Sequence, residues 1–333
     1  MSEEASNIGA RVEFEVWMIH NQDAEPTIAS PGGTASGMVQ QQTLFGADIE
    51  IADRYGSDVA VALYHGDRLD LMRDIPDGEA SLIVTSPPYN LGKEYEQDQA
   101  MGDYVESQAE TIAEAVRICA NDGSICWEVG NYVENGEIKP LDILLYPIFM
   151  AHGLKLRNRI VWHFGHGLHC SNRFSGRYEV ILWFTKTDDY TFHLDPVRVP
   201  QKYPQKKYYK GPKAGDLSCN PKGKNPSDVW VMPNVKANHR EKTIHPCQFP
   251  VALVERLVLA LTDRGDLVVD PYVGVGTTAV AAVLNERRTA GADIMEDYLE
   301  IARNRVKEAA QGTLKYRPLN KPIYDPDLPN GGH

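Results

Sequence analysis

Alternating strand and helix patterns limit what this chain can fold into more than any other feature of its sequence. Apolar runs typical of buried strands occupy residues 59–64, 80–85, 123–129, 157–164, 179–185, 266–270 and 288–293. Stretches with helical periodicity lie between and after them, at residues 68–74, 108–120, 143–152, 250–261, 277–285 and 296–310. Strands that alternate with helices form mostly parallel sheets, because the crossover helices cover both faces. The sequence therefore predicts an α/β fold with helices on both faces of one sheet.

A glycine-rich turn follows the predicted strand at residues 266–270 and opens the next helix. It reads Asp270-Pro271-Tyr272-Val273-Gly274-Val275-Gly276-Thr277. Glycine at such a junction lets the backbone turn tightly and approach a ligand closely. Asp270 can hold a positively charged ammonium group, and Asp293, at the end of the next strand, can bind two ribose hydroxyls. The Gly-Lys-Ser/Thr of a phosphate loop is absent, but the turn alone is also compatible with a dinucleotide site or a structural junction.

A second motif, Ser86-Pro87-Pro88-Tyr89, follows the predicted strand at residues 80–85. Two consecutive prolines lack N–H donors and hold a rigid, extended turn, so their carbonyl groups can accept hydrogen bonds from a ligand. Ser86 adds a hydroxyl group, and Tyr89 adds a flat stacking surface. A flipped nucleobase requires these features: acceptors for its amino group, a π surface and a rigid frame. The alternative is a strand-ending turn with a partly buried tyrosine.

Together the two motifs resemble those of the S-adenosylmethionine-dependent DNA amino-methyltransferases of restriction-modification systems. Because residues 86–89 precede the glycine-rich turn, the motif order resembles that of the circularly permuted β group of this family. The resemblance covers about residues 60–310 and includes supporting segments at residues 65–69, 177–184, 227–230 and 242–246. It implies a Rossmann-like methyltransferase sheet with an irregular target-recognition insertion. It also implies S-adenosylmethionine as cofactor and double-stranded DNA as substrate.

In the enzymes that the chain resembles, the methyl group moves by direct displacement onto an exocyclic amino nitrogen of a flipped base. The resemblance implies a catalytic site formed by Ser86, Pro87, Pro88 and Tyr89. In that site Ser86 and the Pro87 carbonyl accept the amino hydrogens, and Tyr89 stacks on the base. Serine in the first position of the tetrapeptide usually accompanies cytosine N4, whereas aspartate usually accompanies adenine N6. We therefore expect a cytosine-N4 enzyme, with adenine N6 as the alternative.

The matching motifs also imply which residues line the cofactor site. They are Asp67, His245, Pro246, Gln248, Asp270, Tyr272, Gly274, Gly276, Thr277 and Asp293. Tyr272 replaces the phenylalanine that is more common in the family and still provides an apolar wall, whereas Val275 lacks the hydroxyl of the usual serine. His245 is equally compatible with a helix-capping or core position, and Asp67 with a structural turn. The Cys and His spacings predict no metal site.

Residues 186–240 interrupt the strand-helix alternation and form the predicted target-recognition region. The net charge of −12 alone argues against a nucleic-acid partner, yet residues 201–226 contain seven lysines and one acid. A local basic patch of this kind can bind DNA phosphates. The expected DNA contacts are Arg173, Arg177, Lys202, Lys206, Lys207 and Lys210. For each single lysine, a solvated loop is the alternative.

The predicted organisation has five parts. Residues 1–57 form a partly flexible N-terminal extension, and residues 58–185 the catalytic half of the methyltransferase domain. The target-recognition region at residues 186–240 follows, then the cofactor-binding half at residues 241–315 and a C-terminal tail at residues 316–333.

Cellular location and partners are less constrained. The first residues carry no apolar signal sequence, the apolar stretch at residues 143–154 is too short to span a bilayer, and five cysteines without a C-x-x-C pair favour free thiols. These features predict a cytoplasmic protein without membrane contacts. A homodimer and a cognate restriction endonuclease stay open as partners. The alternative functions are a DNA-binding pseudoenzyme, which the intact tetrapeptide disfavours, and a methyltransferase of RNA or protein.

Overall fold

The computed structural model describes residues 48–89, 100–165, 167, 169–236 and 238–321. Residues 1–47 of the predicted extension and residues 322–333 of the predicted tail lie outside the described residues. The helices are α1 (Arg68–Asp74), α2 (Met101–Ile118), α3 (Leu141–Ala151), α4 (Val251–Leu261), α5 (Thr277–Leu284) and α6 (Glu296–Ala310). The strands are β1 (Ile51–Ala52), β2 (Val61–His65), β3 (Ala80–Thr85), β4 (Cys119–Val129), β5 (Asn131–Glu134), β6 (Glu137–Pro140), β7 (Lys155–His163), β8 (Tyr178–Thr185), β9 (Val229–Val231), β10 (Leu267–Asp270) and β11 (Arg288–Asp293). None of these helices is long and apolar enough to cross a membrane.

Within the described residues, nine strands form one mixed sheet in the order β1-β2-β11-β10-β3-β4-β8-β7-β9. The first six strands of this order run parallel to one another. Strand β8 is antiparallel to both β4 and β7, and β9 is parallel to β7. The predicted mostly parallel sheet is therefore confirmed, with an antiparallel extension on one side. Its parallel part brings β3 and β10 side by side, although they come from distant parts of the chain.

Apolar layers cover both faces of the sheet, as predicted. Along β3, Leu82 and Val84 pack in the layer formed with α4, α5 and α6, whereas Ile83 packs in the layer formed with α1, α2 and α3. Successive side chains of a strand point to opposite faces, so a strand that is covered on both faces must be largely apolar. This requirement explains the apolar runs that mark the central strands in the sequence.

The hairpin of β5 and β6 is missing from the periodicity-based prediction. Its turn contains Asn135 and Gly136, whose φ angles are 50° and 84°. Two-residue hairpin loops favour positive φ at both positions, and Asn-Gly is their strongest sequence signal. The two strands have only four residues each. So short a hairpin has little periodicity, and its turn is the only local signal.

Candidate active site

The two motifs meet at one edge of the sheet. Strands β3 and β10 are neighbours and end at the same edge, where the Thr85 hydroxyl donates a hydrogen bond of 2.6 Å to the Asp270 carboxylate. The loops that follow these strand ends line a common cavity of about 430 Å³. Strand β11, which pairs with β10, ends at Asp293 and contributes a third wall. Crevices at the carboxyl ends of parallel strands are where open α/β sheets bind ligands.

Ser86, Pro87, Pro88 and Tyr89 all line this cavity. The Tyr89 side chain is only 8% exposed, and its hydroxyl donates a 2.5 Å hydrogen bond to Glu128 Oε2. The Ser86 hydroxyl oxygen lies 2.9 Å from the Tyr89 hydroxyl oxygen. Burial, followed by the negative field of Glu128, raises the pKa of Tyr89 well above its ordinary value. The tyrosine is therefore a neutral, anchored ring at the cavity wall.

Glu128, which is buried, forms a pair with the half-buried Glu179, and sequence reasoning missed this pair of carboxyl groups. It lies in β4, and Glu179, near the start of the adjacent β8, contacts it through a side-chain hydrogen bond. Burial raises the pKa of both carboxyls, and Glu128 raises that of Glu179 further. A hydrogen bond between two carboxyl groups requires a proton on one of them, and the raised pKa values favour keeping that proton. An acid within the apolar run of β4 is the sequence signal that could have identified Glu128, since buried acids are rare.

Asp270 is buried beneath the glycine-rich turn. One carboxylate oxygen accepts hydrogen bonds from the Thr85 hydroxyl and the Tyr272 N–H, and the other accepts a 2.5 Å hydrogen bond from the Thr278 hydroxyl. Burial raises the pKa of Asp270 from 3.8 to about 6. Asp270 is not among the residues that line the cavity. In this structure it connects the end of β3, the turn and the start of α5.

The glycines of the turn occupy positions that other residues would strain. Gly274 and Gly276 have φ angles of 50° and 77°, in the left-handed region that favours glycine. A Cβ atom at Gly276 would lie 2.7 Å from the Ala302 Cβ of α6, and one at Gly274 would lie 3.4 Å from His245 Nε2. Gly274 lines the cavity and Gly276 does not. The turn therefore exposes its backbone to the cavity on one side and packs closely on α6 on the other.

Asp293 lines the cavity from the end of β11. One of its carboxylate oxygens accepts a hydrogen bond from the Gly274 N–H at 3.1 Å, and the other from the Met295 N–H at 2.8 Å. Burial raises its pKa. Asp67 lines the cavity too and caps α1 by accepting the Leu69 N–H at 2.8 Å. Both acids thus combine a structural hydrogen bond with a position at the cavity wall.

The segment before α4 forms another wall of the cavity. His245 and Gln248 line it, while Pro246 is exposed and lies outside the lining. Burial lowers the pKa of His245 to about 4, so its imidazole is neutral at pH 7. Gln248 is held by the Thr243 hydroxyl, which donates to its side-chain oxygen, and by the Glu241 carbonyl, which accepts from its amide. These hydrogen bonds fix the segment that carries His245.

Helix α2 and the turn contribute polar groups opposite this segment. Tyr272 and Thr277 line the cavity, as do the α2 residues Ser107 and Gln108, which the sequence motifs did not predict. The Tyr272 hydroxyl lies 3.1 Å from Gln108 Nε2, which donates to it. Arg68 lies over the Tyr272 ring, 5.3 Å from its centroid. Gln108 therefore holds the hydroxyl group of Tyr272, and Arg68 packs on the face of its ring.

The lysines predicted to contact DNA lie on an irregular segment that follows β8. Lys202, Lys206, Lys207 and Lys210 are all exposed, and no ion pair joins them to an acid among the residues that the structure describes. A bridge between Lys207 and Leu217 folds this segment back on itself. Arg173 and Arg177 lie elsewhere, on the loop between β7 and β8. The Arg173 guanidinium donates to the Gly136 carbonyl of the β5–β6 hairpin at 3.3 Å.

Matches to known protein sequences extend over most of the chain. The family model described as DNA methylase, of the N6_N4 type, matches residues 80–304. The type II methyltransferase M.BglII of Bacillus subtilis is 50% identical over 241 residues, which are 72% of this chain and 67% of that protein.

Solved structures share the fold, among them the following two. PvuII DNA methyltransferase, described as cytosine-N4-specific, superposes with a TM-score of 0.59 at 19% identity, over 78% of this chain and 95% of that chain. A putative DNA modification methylase of Thermus thermophilus, solved with S-adenosyl-L-methionine, superposes with a TM-score of 0.53 at 24% identity, over 75% of this chain and 96% of that chain. At these identities the superpositions establish a Rossmann-like fold.

Proposed function

The chain belongs to the DNA methylase family of restriction-modification amino-methyltransferases, and on this premise we propose that it methylates cytosine N4 of a flipped base in double-stranded DNA. One observation carries the proposal: residues 86–89 and the glycine-rich turn line the same cavity. A methyl donor held by the turn and a base held by the tetrapeptide can then be adjacent. The choice of cytosine rests on Ser86, because serine in this position usually accompanies cytosine N4 in enzymes with this motif.

S-adenosylmethionine is the cofactor, and it supplies a methyl group on a positively charged sulfonium. The cavity fits a ligand of this kind, since its volume of about 430 Å³ lies within the range of about 300–1,000 Å³ for small-molecule sites. Its polar lining includes the Asp67 and Asp293 carboxylates, which suit ribose hydroxyls and a cationic ligand. We assign the ribose to Asp293 and the methionine part to the wall that carries His245.

The tetrapeptide acts on the base by hydrogen bonding and stacking. An aromatic amino group is a poor nucleophile, because its lone pair is delocalised into the ring. Hydrogen bonds from the amino hydrogens to Ser86 and to the Pro87 carbonyl draw that lone pair out of conjugation. Tyr89, which Glu128 anchors through its hydroxyl, stacks on the base. Catalysis then depends on positioning and electrostatic complementarity, without a covalent intermediate.

A methyl-transfer assay with tritiated S-adenosylmethionine on DNA, RNA and protein tests the substrate class. We expect label in DNA alone, and mass spectrometry of the nucleosides should then show N4-methylcytosine. N6-methyladenine instead would show that the target is adenine, while the conclusion that DNA is the substrate would stand. Label in RNA or protein alone, or in none of the three, would overturn the proposal.

Asp293→Ala should weaken cofactor binding about tenfold or more, because hydrogen bonds to a charged group contribute about 1.5–3 kcal/mol. Isothermal titration calorimetry measures the dissociation constant. Asp297→Ala is the matched control, since Asp297 is an exposed acid in the first turn of α6 outside the cavity lining. Equal affinity of Asp293→Ala and wild type would show that Asp293 does not bind the ribose.

The double substitution of Lys206 and Lys207 by alanine should weaken DNA binding to a similar degree for all sequences. Each phosphate contact releases counterions, so the slope of log affinity against log salt should become shallower by about one per lysine. Fluorescence anisotropy at several salt concentrations measures this slope. Lys315→Ala, an exposed lysine near the C-terminus, is the control. An unchanged slope would show that these two lysines do not contact DNA phosphates.

We propose to retain the five-part organisation, with residues 186–240 as the target-recognition region. A homodimer and a cognate restriction endonuclease are also proposals. Light scattering at assay concentrations tests the first, and cleavage of unmethylated but not methylated DNA by an extract of the source cells tests the second.

A further inference from the structure

Phe174 is a large apolar side chain that is completely exposed. Its relative exposure is 100%, the highest value among the exposed large hydrophobic side chains of the described residues. Single apolar residues at a surface are common, but a whole aromatic ring without packing contacts suits insertion into a partner. Two arginines, Arg173 and Arg177, flank it in the sequence. An apolar ring between two arginines fits a partner that offers an apolar space beside negatively charged groups.

The backbone that carries Phe174 is held on both sides. The Cys170 N–H donates to the Ser175 hydroxyl at 3.1 Å, which closes a short loop around residues 170–175. The Phe164 N–H donates to the Arg177 carbonyl at 3.0 Å, where the chain leaves β7 and returns toward β8. Arg173 reaches the Gly136 carbonyl of the β5–β6 hairpin. These hydrogen bonds hold the loop in place, and the Phe174 ring projects from it into solvent.

This loop emerges at the same edge of the sheet as the tetrapeptide, because β8 is antiparallel to β4 and begins where β4 ends, with Val180 opposite Val129. It leads into β8, whose second residue, Glu179, contacts Glu128. Glu128 in turn accepts the hydroxyl of Tyr89. Phe174 is therefore connected to the cavity wall through a short stretch of chain and two side-chain contacts. The loop therefore lies at the edge of the sheet that carries the candidate site.

We infer that Phe174 inserts into the DNA duplex and fills the gap that the flipped base leaves. This inference rests on the proposed function. Extruding a base disrupts pairing and stacking, and the cost is smaller when the base is already mismatched. Apolar wedges such as phenylalanine separate base steps in other DNA-binding proteins. Phe174 and Tyr89 then have different tasks: Phe174 occupies the helix, and Tyr89 holds the base outside it.

Methylation of duplexes with a paired or an unpaired target base by the full-length chain tests this assignment. The duplexes carry the site that wild type methylates, with the target base either paired or opposite an abasic position. Phe174→Ala should lower kcat/KM on the paired duplex by roughly tenfold or more and have a much smaller effect on the abasic duplex, where extrusion is easy. Phe174→Leu should restore much of the loss, since an apolar wedge is retained. Ile143→Ala, an exposed apolar residue on α3, is the control and should match wild type on both duplexes.

Binding of a duplex with pyrrolocytosine at the target position, or 2-aminopurine if the target is adenine, gives a second measurement. The fluorescence should increase with wild type and much less with Phe174→Ala. An equal loss of kcat/KM on both duplexes, or no loss on either, would overturn the wedge. If wild type methylates no DNA at all, so that no such site can be found, the proposed function fails and the wedge is withdrawn with it. If Phe174→Ala binds the cofactor with the affinity of wild type in calorimetry, the cofactor cavity of the variant is intact.

Discussion

Tyr89→Ala is expected to lower the single-turnover rate of methyl transfer by about a hundredfold or more. Stacking of an aromatic side chain on a base contributes about 1–3 kcal/mol. The substitution also removes the donor of the 2.5 Å hydrogen bond to Glu128, a residue that is 3% exposed. Without the anchored ring the base is no longer held in its reactive position, and a misplacement of about 1 Å can by itself cost about a hundredfold in rate. Rapid-quench measurement with saturating cofactor and DNA gives the rate, and a wild-type rate would refute the role of Tyr89.

Tyr89→Phe tests the contribution of the hydroxyl group separately from that of the aromatic ring. Phenylalanine keeps the stacking surface but cannot donate to Glu128, so we expect a loss of about tenfold from poorer positioning alone. Glu128→Leu should produce a similar loss, because it removes the acceptor of the same hydrogen bond. If the two residues act through that bond, the double variant should be no slower than the single variants, as residues in direct contact are not additive. Additive losses would mean that Glu128 acts independently of Tyr89.

Much of the fold follows from the sequence because periodicity reports burial. The predicted bounds of α1, β3, β11 and α6 agree with the structure residue for residue. Each of these elements is long or strongly patterned, and its ends carry a clear signal. Asp67, for example, is the residue that caps α1. Helix α2 begins at Met101 rather than at residue 108; Met101, Tyr104 and Val105 extend its apolar i, i+3, i+4 pattern toward the N-terminus, a signal that the prediction overlooked.

The candidate site could be predicted as far as its motifs extend. Both motifs end up at one cavity, since parallel strands present their carboxyl ends at the same edge. The contacts between distant segments could not be predicted. The pairing of Glu128 with Glu179 depends on the antiparallel register of β4 and β8, which no local pattern specifies. The approach of Gln108 to Tyr272 depends on how α2 packs over the sheet edge.

Asp270 shows how a motif residue can differ from its expected position. A carboxylate at a strand end is commonly available to a ligand, but here three protein groups donate to it and it is 1% exposed. Asp270→Ala leaves the Thr85 and Thr278 hydroxyls and the Tyr272 N–H without their acceptor. Each such buried group costs about 1–3 kcal/mol, and hydroxyl rotation relieves part of this, so we expect the free energy of unfolding in urea to fall by about 3–5 kcal/mol. An unchanged value would contradict the buried network.

Asp270→Asn removes the titrating group while keeping one acceptor oxygen, and should make the pH dependence visible. Burial raises the folded-state pKa from 3.8 to about 6, so the folded protein binds the proton more tightly than the unfolded chain. The stabilising contribution of the protonated carboxyl is complete below the unfolded pKa and is lost as pH rises through about 6, a loss of about 3 kcal/mol. Asparagine cannot titrate, so the variant should gain stability relative to wild type by about that amount between about pH 4 and about pH 7. Urea unfolding of both proteins at several pH values measures the difference, and a constant difference would mean that Asp270 keeps an ordinary pKa despite its burial. Because the other buried acids are common to both proteins, their titration cancels, and the slope reports the one carboxyl that joins β3 to the glycine-rich turn.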